Sequence, residues 1–83
     1  MEEFMRELYG KRARVVLEHC LFDRQAFYCD ELQTVNDDKR VGLVLKGQEI
    51  FMYKQDVKVA EAHDNTYVMS DGRLTMTINL QKM

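Results

Sequence analysis

GQEIFMYKQDVKVAE, residues 47 to 61, is the stretch on which the fold turns. Residues 49 to 53 alternate as a strand does, yet apolar side chains fall on both faces. Ile50 and Met52 lie on one face and Phe51 on the other. Asp56 to Ala62 gives a second strand, and Tyr53-Lys54-Gln55 is the break between the two. In a chain of 83 residues, only one face of the first strand can meet the domain's own core. The other face calls for a cover, either a helix or a second subunit.

Upstream, RVGLVLK (40–46) presents Val41, Leu43 and Leu45 to one side, and Lys46-Gly47-Gln48 turns the chain tightly into the stretch above. Before it, AFYCDELQTVN (26–36) is a longer strand whose alternation slips at Cys29-Asp30-Glu31-Leu32, which predicts a bulge or bend there. Asn36-Asp37-Asp38-Lys39 closes it as a turn. RARVVLE (12–18) is a half-buried strand with Ala13, Val15 and Leu17 on one face, and Asp23-Arg24 is the expected turn after it. Residues 2 to 9 form one short helix with Phe4, Met5 and Leu8 on a common face, stopped by Gly10.

Downstream, His63-Asp64-Asn65 is a turn. The strands TYVMS and RLTMTINL then flank Asp71-Gly72, a dipeptide that favours tight hairpins. Leu74, Met76, Ile78 and Leu80 share one face of the last strand. The pattern predicts a mostly β, single-domain protein over residues 1–83. It comprises a helix at 2–9, a small antiparallel barrel core at 11–61 and an additional hairpin at 66–80.

Composition restricts the function classes. Twelve basic residues face fourteen acidic ones, for a formal net charge of −2. That balance argues against sequence-blind gripping of a phosphate backbone, though not against a local basic ring or pocket. No stretch has the ~18–20 apolar residues of a membrane span, and the start lacks a secretory core. Cys20 and Cys29 fit neither a zinc spacing nor a disulfide framework, and read as partly buried thiols of a cytoplasmic protein. No metal or cofactor is expected. Ser70, the only serine, could be grouped with His63 and Asp64, but any small protein offers such a trio by chance. His19 and Cys20, neighbours at a strand end, would face opposite ways. The reading is a binding or assembly module and not a catalyst.

Three segments resemble the Sm-like (LSm/Hfq-like) family, most closely its bacterial Hfq type. They are the strand around Leu17 after a short helix; Asp30-Glu31-Leu32-Gln33-Thr34-Val35-Asn36; and Phe51-Met52-Tyr53-Lys54-Gln55-Asp56-Val57, which is similar to the family's apolar-Tyr-Lys-His step. The resemblance spans roughly residues 4 to 60. It implies a small Sm-like (SH3-like) barrel that closes into homo-oligomeric rings of five to seven subunits, the fourth strand of one subunit pairing with the fifth of the next. Ile50, Phe51, Met52, Val57 and Val59 would then form the oligomer interface. It also implies a single-stranded RNA site at Tyr53, Lys54 and Gln55, with Asn36 nearby at the family's aspartate position. Gln55 stands where the family has histidine, Asp30 where it has glycine, and residues 62 to 83 lie beyond the five-strand core.

The residue chemistry of that step stands without the family. A phenol ring stacks a base, an ammonium meets phosphate, and an amide pairs with a base edge. The blander alternative is a strand end and turn of ordinary surface, with Arg6, Lys11, Arg12 and Arg14 as a solvated basic face. On that reading the protein is a structural or adaptor barrel acting through self-assembly or protein partners.

Overall fold

The computed structural model describes residues 2 to 81; positions 1, 82 and 83 of the expected domain lie outside the described residues. Helix α1 (Glu2–Leu8) is followed by eight strands. These are β1 (Ala13–His19), β2 (Phe22–Cys29), β3 (Gln33–Asn36), β4 (Arg40–Leu45), β5 (Gln48–Tyr53), β6 (Val59–His63), β7 (Thr66–Ser70) and β8 (Leu74–Leu80). A 3₁₀ turn, Lys54–Asp56, sits between β5 and β6. They form a five-stranded sheet in the order β2-β1-β8-β7-β6 and a three-stranded sheet in the order β3-β4-β5. Every ladder is antiparallel. β2 is not hydrogen-bonded to β3, nor β5 to β6, so the protein is mostly β with two separate sheets.

The core lies between the sheets and follows the period of two. Val41, Leu43, Leu45 and Met52 from the small sheet meet Ala13, Val15, Met69, Met76 and Ile78 from the large one, all at 3% exposure or less. Met5 and Leu8 of α1 are buried in the same cluster beside Leu32. The helix is pinned by Phe4, whose ring meets Tyr67 edge-on at 5.2 Å, and by the Tyr67 hydroxyl, which donates to Glu7 Oε2 at 2.7 Å. That bond to a carboxylate, together with burial, pushes the Tyr67 pKa up. Gly10, at φ +76°, ends the helix segment, and its N–H donates to the Leu32 carbonyl at 2.7 Å. The helix therefore lies against β3 and Tyr67.

The expected break at 29–32 is present: it separates β2 from β3 and raises the strand number to eight. Two turns shift from their expected places. Asp23-Arg24 lies inside β2, and the turn is Cys20-Leu21 instead. β8 supplies partners along β1 as far as the His19–Leu74 pair, which holds β1 extended past Leu17. In the last hairpin the tip is Gly72-Arg73, one residue later than Asp71-Gly72 suggested. Asp71 Oδ1 accepts the N–H groups of Arg73 and Leu74, both at 2.8 Å, so the aspartate holds the turn from its first position, ahead of the two tip residues. Of the two thiols expected to be partly buried, Cys29 is so and Cys20 is not. Cys29 is half-buried, its pKa raised by burial and then by the charge of Asp30, whereas Cys20 is exposed in the turn at the other end of the β1–β2 hairpin. Among the described residues no helix is long and apolar enough to cross a membrane.

Candidate nucleic-acid interface

The site grows out of one tight turn. Lys46 and Gly47 both take positive φ, 52° and 79°, the geometry whose twist suits a two-residue hairpin. Leu45 then pairs with Gln48, and every later pair is fixed in step, ending with Arg40 opposite Tyr53. One residue further, the Lys54 N–H donates to the Lys39 carbonyl at 2.8 Å. Tyr53 keeps extended torsions (φ −79°, ψ 136°), and the chain then coils into the 3₁₀ turn, which the Val57 N–H closes on the Lys54 carbonyl at 3.3 Å.

Glu49, Phe51 and Tyr53 point away from the core on β5, beside Arg40, Gly42 and Val44 of β4. Gly42 is required here. A Cβ at that position would sit 2.5 Å from Phe51 Cα and collide with the Ile50 carbonyl oxygen. Phe51 meets Tyr53 edge-on at 5.8 Å, and the Arg40 guanidinium lies 4.9 Å above the Phe51 ring. Arg40 is held in place by Asp37: its Nε and Nη2 donate to Asp37 Oδ2 at 2.8 and 2.7 Å, while Asp37 Oδ1 accepts the backbone N–H groups of Lys39 and Arg40. The hydrogen bond from Arg40, helped by those two N–H groups, lowers the Asp37 pKa to about 2.

Tyr53, 49% exposed, stands as the wall between two open clefts. One, of about 440 Å³, is lined by Asp37, Asp38, Lys39, Arg40 and Tyr53. The other, of about 300 Å³, is lined by Asp38, Lys39, Tyr53, Lys54 and Gln55. Since Asp37 is matched by Arg40, the charges left to act on a ligand are Lys39 and Lys54 against Asp38. The arrangement offers an aromatic face, two ammonium groups and an amide within one short arc. A larger cleft of about 540 Å³ opens on the far side of the 3₁₀ turn, between Gln55–Lys58 and Asp71–Arg73. It has no aromatic ring, and Asp56 and Asp71 oppose Lys58 and Arg73, so it suits a base less well.

The structure thus brings Tyr53, Lys54 and Gln55 together. Asn36 is exposed at the end of β3 and lines neither cleft; its neighbours Asp37 to Arg40 do. Lys39 and Arg40 are the residues that sequence reasoning missed. Counting outward from Lys46-Gly47 pairs 40 with 53 and 39 with 54, which was the available signal. The five expected interface residues do not share a surface. Met52 is buried in the chain's own core, and Val57 is half-buried against it. Ile50 lines an apolar cleft with Leu17 and Leu74, Phe51 lies on the outer face, and Val59 begins β6.

The Ser70, His63 and Asp64 trio is dispersed. His63 and Asp64 sit at one end of the β6–β7 hairpin, and Ser70 pairs with Val59 at the other. Ser70 Oγ is 3.0 Å from Thr75 Oγ1 and accepts the Gly72 N–H. His19 Nδ1 and Cys20 Sγ come within 3.9 Å because Cys20 lies in the turn and not in the strand, but Nδ1 accepts the Leu21 N–H at 3.0 Å. Among the described residues no three His, Cys, Asp or Glu side chains converge on a possible metal site. Comparison with protein-family models, with curated proteins and with solved structures finds no match for this chain.

Proposed function

We propose that this protein is an Sm-like RNA-binding protein whose subunits assemble into a homo-oligomeric ring and hold single-stranded RNA at Tyr53, Lys54 and Gln55, with Lys39 as a further cation. The observation that carries this reading is Tyr53. It is a half-exposed ring between two clefts, with Lys39 and Lys54 within reach and the Gln55 amide beside it. Stacking a base on such a ring contributes ~1–3 kcal/mol. A ring of subunits repeats the step, so weak sites act together.

The order of elements supports the assembly half. A short helix precedes a strand, a strand broken at 30–32, two hairpin strands, a 3₁₀ turn and a further strand. Both β5 and β6 are sheet edges, so each leaves a row of backbone groups free to pair with a neighbouring copy. The two sheets do not close into a barrel, and β7 and β8 stand between β6 and β1 in the large one. Subunit pairing would then rest on the β5 and β6 backbones, with Phe51 and Val59 beside the seam.

The test is native mass with the 260/280 absorbance ratio, followed by anisotropy titration with a uracil-rich oligonucleotide. A closed assembly of five to seven chains that binds the oligonucleotide, and loses about 5- to 150-fold in affinity on Tyr53→Ala while keeping its mass, is the expected result. A monomer that ignores RNA overturns the proposal. A ring that ignores RNA leaves assembly itself as the function, the adaptor reading.

A further inference from the structure

The two clefts beside Tyr53 have three residues in common: Tyr53 itself, Lys39 and Asp38. The ring and the ammonium suit a nucleotide's base and phosphate. The third group is a carboxylate, set where a polyanion would pass. Its neighbour Asp37 is bound by the Arg40 guanidinium at 2.7 and 2.8 Å and spends its other oxygen on two backbone N–H groups. Asp38 has no such partner. Among the described residues its exposed side chain makes no hydrogen bond and no ion pair. A carboxylate accepts hydrogen bonds and donates none. Beside a phosphate it repels, and it stabilises a bound strand only by meeting a donor that the strand itself carries.

We propose that Asp38 accepts a hydrogen bond from the ribose 2′-hydroxyl and so selects RNA over DNA, an assignment that rests on RNA binding at Tyr53. The residues shared by the clefts then match the three parts of one nucleotide. Tyr53 stacks the base, Lys39 meets the phosphate and Asp38 takes the sugar. The 2′-hydroxyl is the donor that DNA lacks. Amines on base edges are the competing donors for this carboxylate. The Gln55 amide already offers a base edge both a donor and an acceptor, and it lines only the cleft that includes Lys54. Asp38 lines both clefts, as a contact to the sugar of each nucleotide requires. With a cleft on either side of Tyr53, two successive nucleotides fit with the ring between them. The two oxygens of Asp38 suffice for one hydroxyl from each.

The test titrates the full chain with three matched single strands, by anisotropy at one salt concentration. They are a uracil-rich RNA, the same sequence as deoxyuridine DNA, and its 2′-fluoro form, which keeps the sugar pucker of RNA without the donor. Wild type should bind the RNA about 10-fold tighter than either other strand, the low end for a hydrogen bond to a charged group because the clefts are open. Asp38→Ala should erase that preference. RNA affinity falls, while DNA affinity rises about 2- to 5-fold because a like charge leaves the path of the phosphates. Asp38→Asn, which keeps the shape and a neutral acceptor, should fall between. Neither change should alter the circular dichroism spectrum, since the side chain holds no contact in the fold. Equal wild-type affinity for RNA and DNA, with Tyr53→Ala weakening both, overturns the role of Asp38 and leaves the Tyr53 site standing. An RNA preference that survives Asp38→Ala overturns it too, as does an equal loss of RNA and DNA affinity, which would mean that Asp38 only shapes the turn. A 2′-fluoro strand that binds as RNA does traces the preference to sugar pucker and rules out the hydrogen bond. If Asp38→Ala instead alters the choice between uracil-rich and cytosine-rich RNA at a constant RNA-to-DNA ratio, the carboxylate reads a base edge and the sugar contact is wrong. Binding to none of the strands overturns the RNA reading and this assignment together.

Discussion

Two turns of this protein are built alike and do different work. Asp37-Asp38-Lys39-Arg40 and Asp71-Gly72-Arg73-Leu74 each begin with an aspartate whose Oδ1 accepts the N–H groups two and three residues on. In each, the backbone N–H of the aspartate donates to the carbonyl of the fourth residue, at 3.0 Å in the first and 3.2 Å in the second. The difference is the fourth side chain. Leu74 turns inward to the apolar cleft beside Leu17 and Ile50, so the second turn serves the core. Arg40 turns outward, is gripped by its own Asp37 and lies over Phe51, so the first turn presents a rigid rim to the candidate site. One backbone device thus serves packing or recognition according to a single side chain.

The comparison breaks most severely at Gly42. The Arg40 rim needs Phe51 beneath it, and Phe51 needs the absence of a side chain at Gly42. Gly42→Val drives atoms into the β5 backbone, which cannot rotate aside as a side chain would. A loss of more than about 3 kcal/mol is expected, at or beyond the upper end for overpacked cores. Thermal melting checks it: the variant should show a transition many degrees lower or no cooperative transition. A melt within a degree or two of wild type would mean that β4 and β5 are spaced more widely than described.

Leu74→Ala probes the inward turn and gives a smaller effect. The side chain is half-buried, so about 1–2 kcal/mol is expected, below the ~2–5 kcal/mol of a fully buried leucine. Oligonucleotide affinity should stay at the wild-type value in the same preparation. A change in affinity without a change in melting temperature would reverse the assignment of the two turns.

Much of this architecture was legible in the sequence because period-two alternation and turn residues are local signals. Val41, Leu43 and Leu45 were assigned to one face, and they are buried together. The slip at Cys29 to Leu32 marked the break between two strands. What was not legible depends on partners distant in the chain. The turn at Cys20-Leu21 was misplaced because β8, more than fifty residues later, sets how far β1 runs. Met52 was expected at an interface, but the strand alone does not say which of its two apolar faces meets the core; the helix goes to β3 and Tyr67, leaving Phe51 outside. At the site, Tyr53 and Lys54 were found by their chemistry. Lys39 and Arg40 arrive through the β4–β5 register, and an interaction across a ladder appears in no single stretch of sequence.

The finest test of the comparison is the charge within the outward turn. Asp37→Asn keeps an oxygen to accept the N–H groups of Lys39 and Arg40 but removes the carboxylate that clamps the Arg40 guanidinium. Because the folded pKa of Asp37 is lowered from 3.8 to about 2, its ionised form contributes stability that is full above about pH 4. That contribution fades as pH falls through about 2. Melting temperatures of wild type and variant should therefore differ near neutral pH and converge as the medium is acidified across that window. Asp71, whose carboxyl burial pushes up but the N–H groups of Leu74 and Arg73 pull down further, titrates in both proteins and cancels in the difference. Parallel melting curves from neutral pH to about pH 2 would mean that the guanidinium is not clamped. Arg40 would then be a mobile surface cation, and the outward turn would lose the rigidity that sets it apart from the inward one.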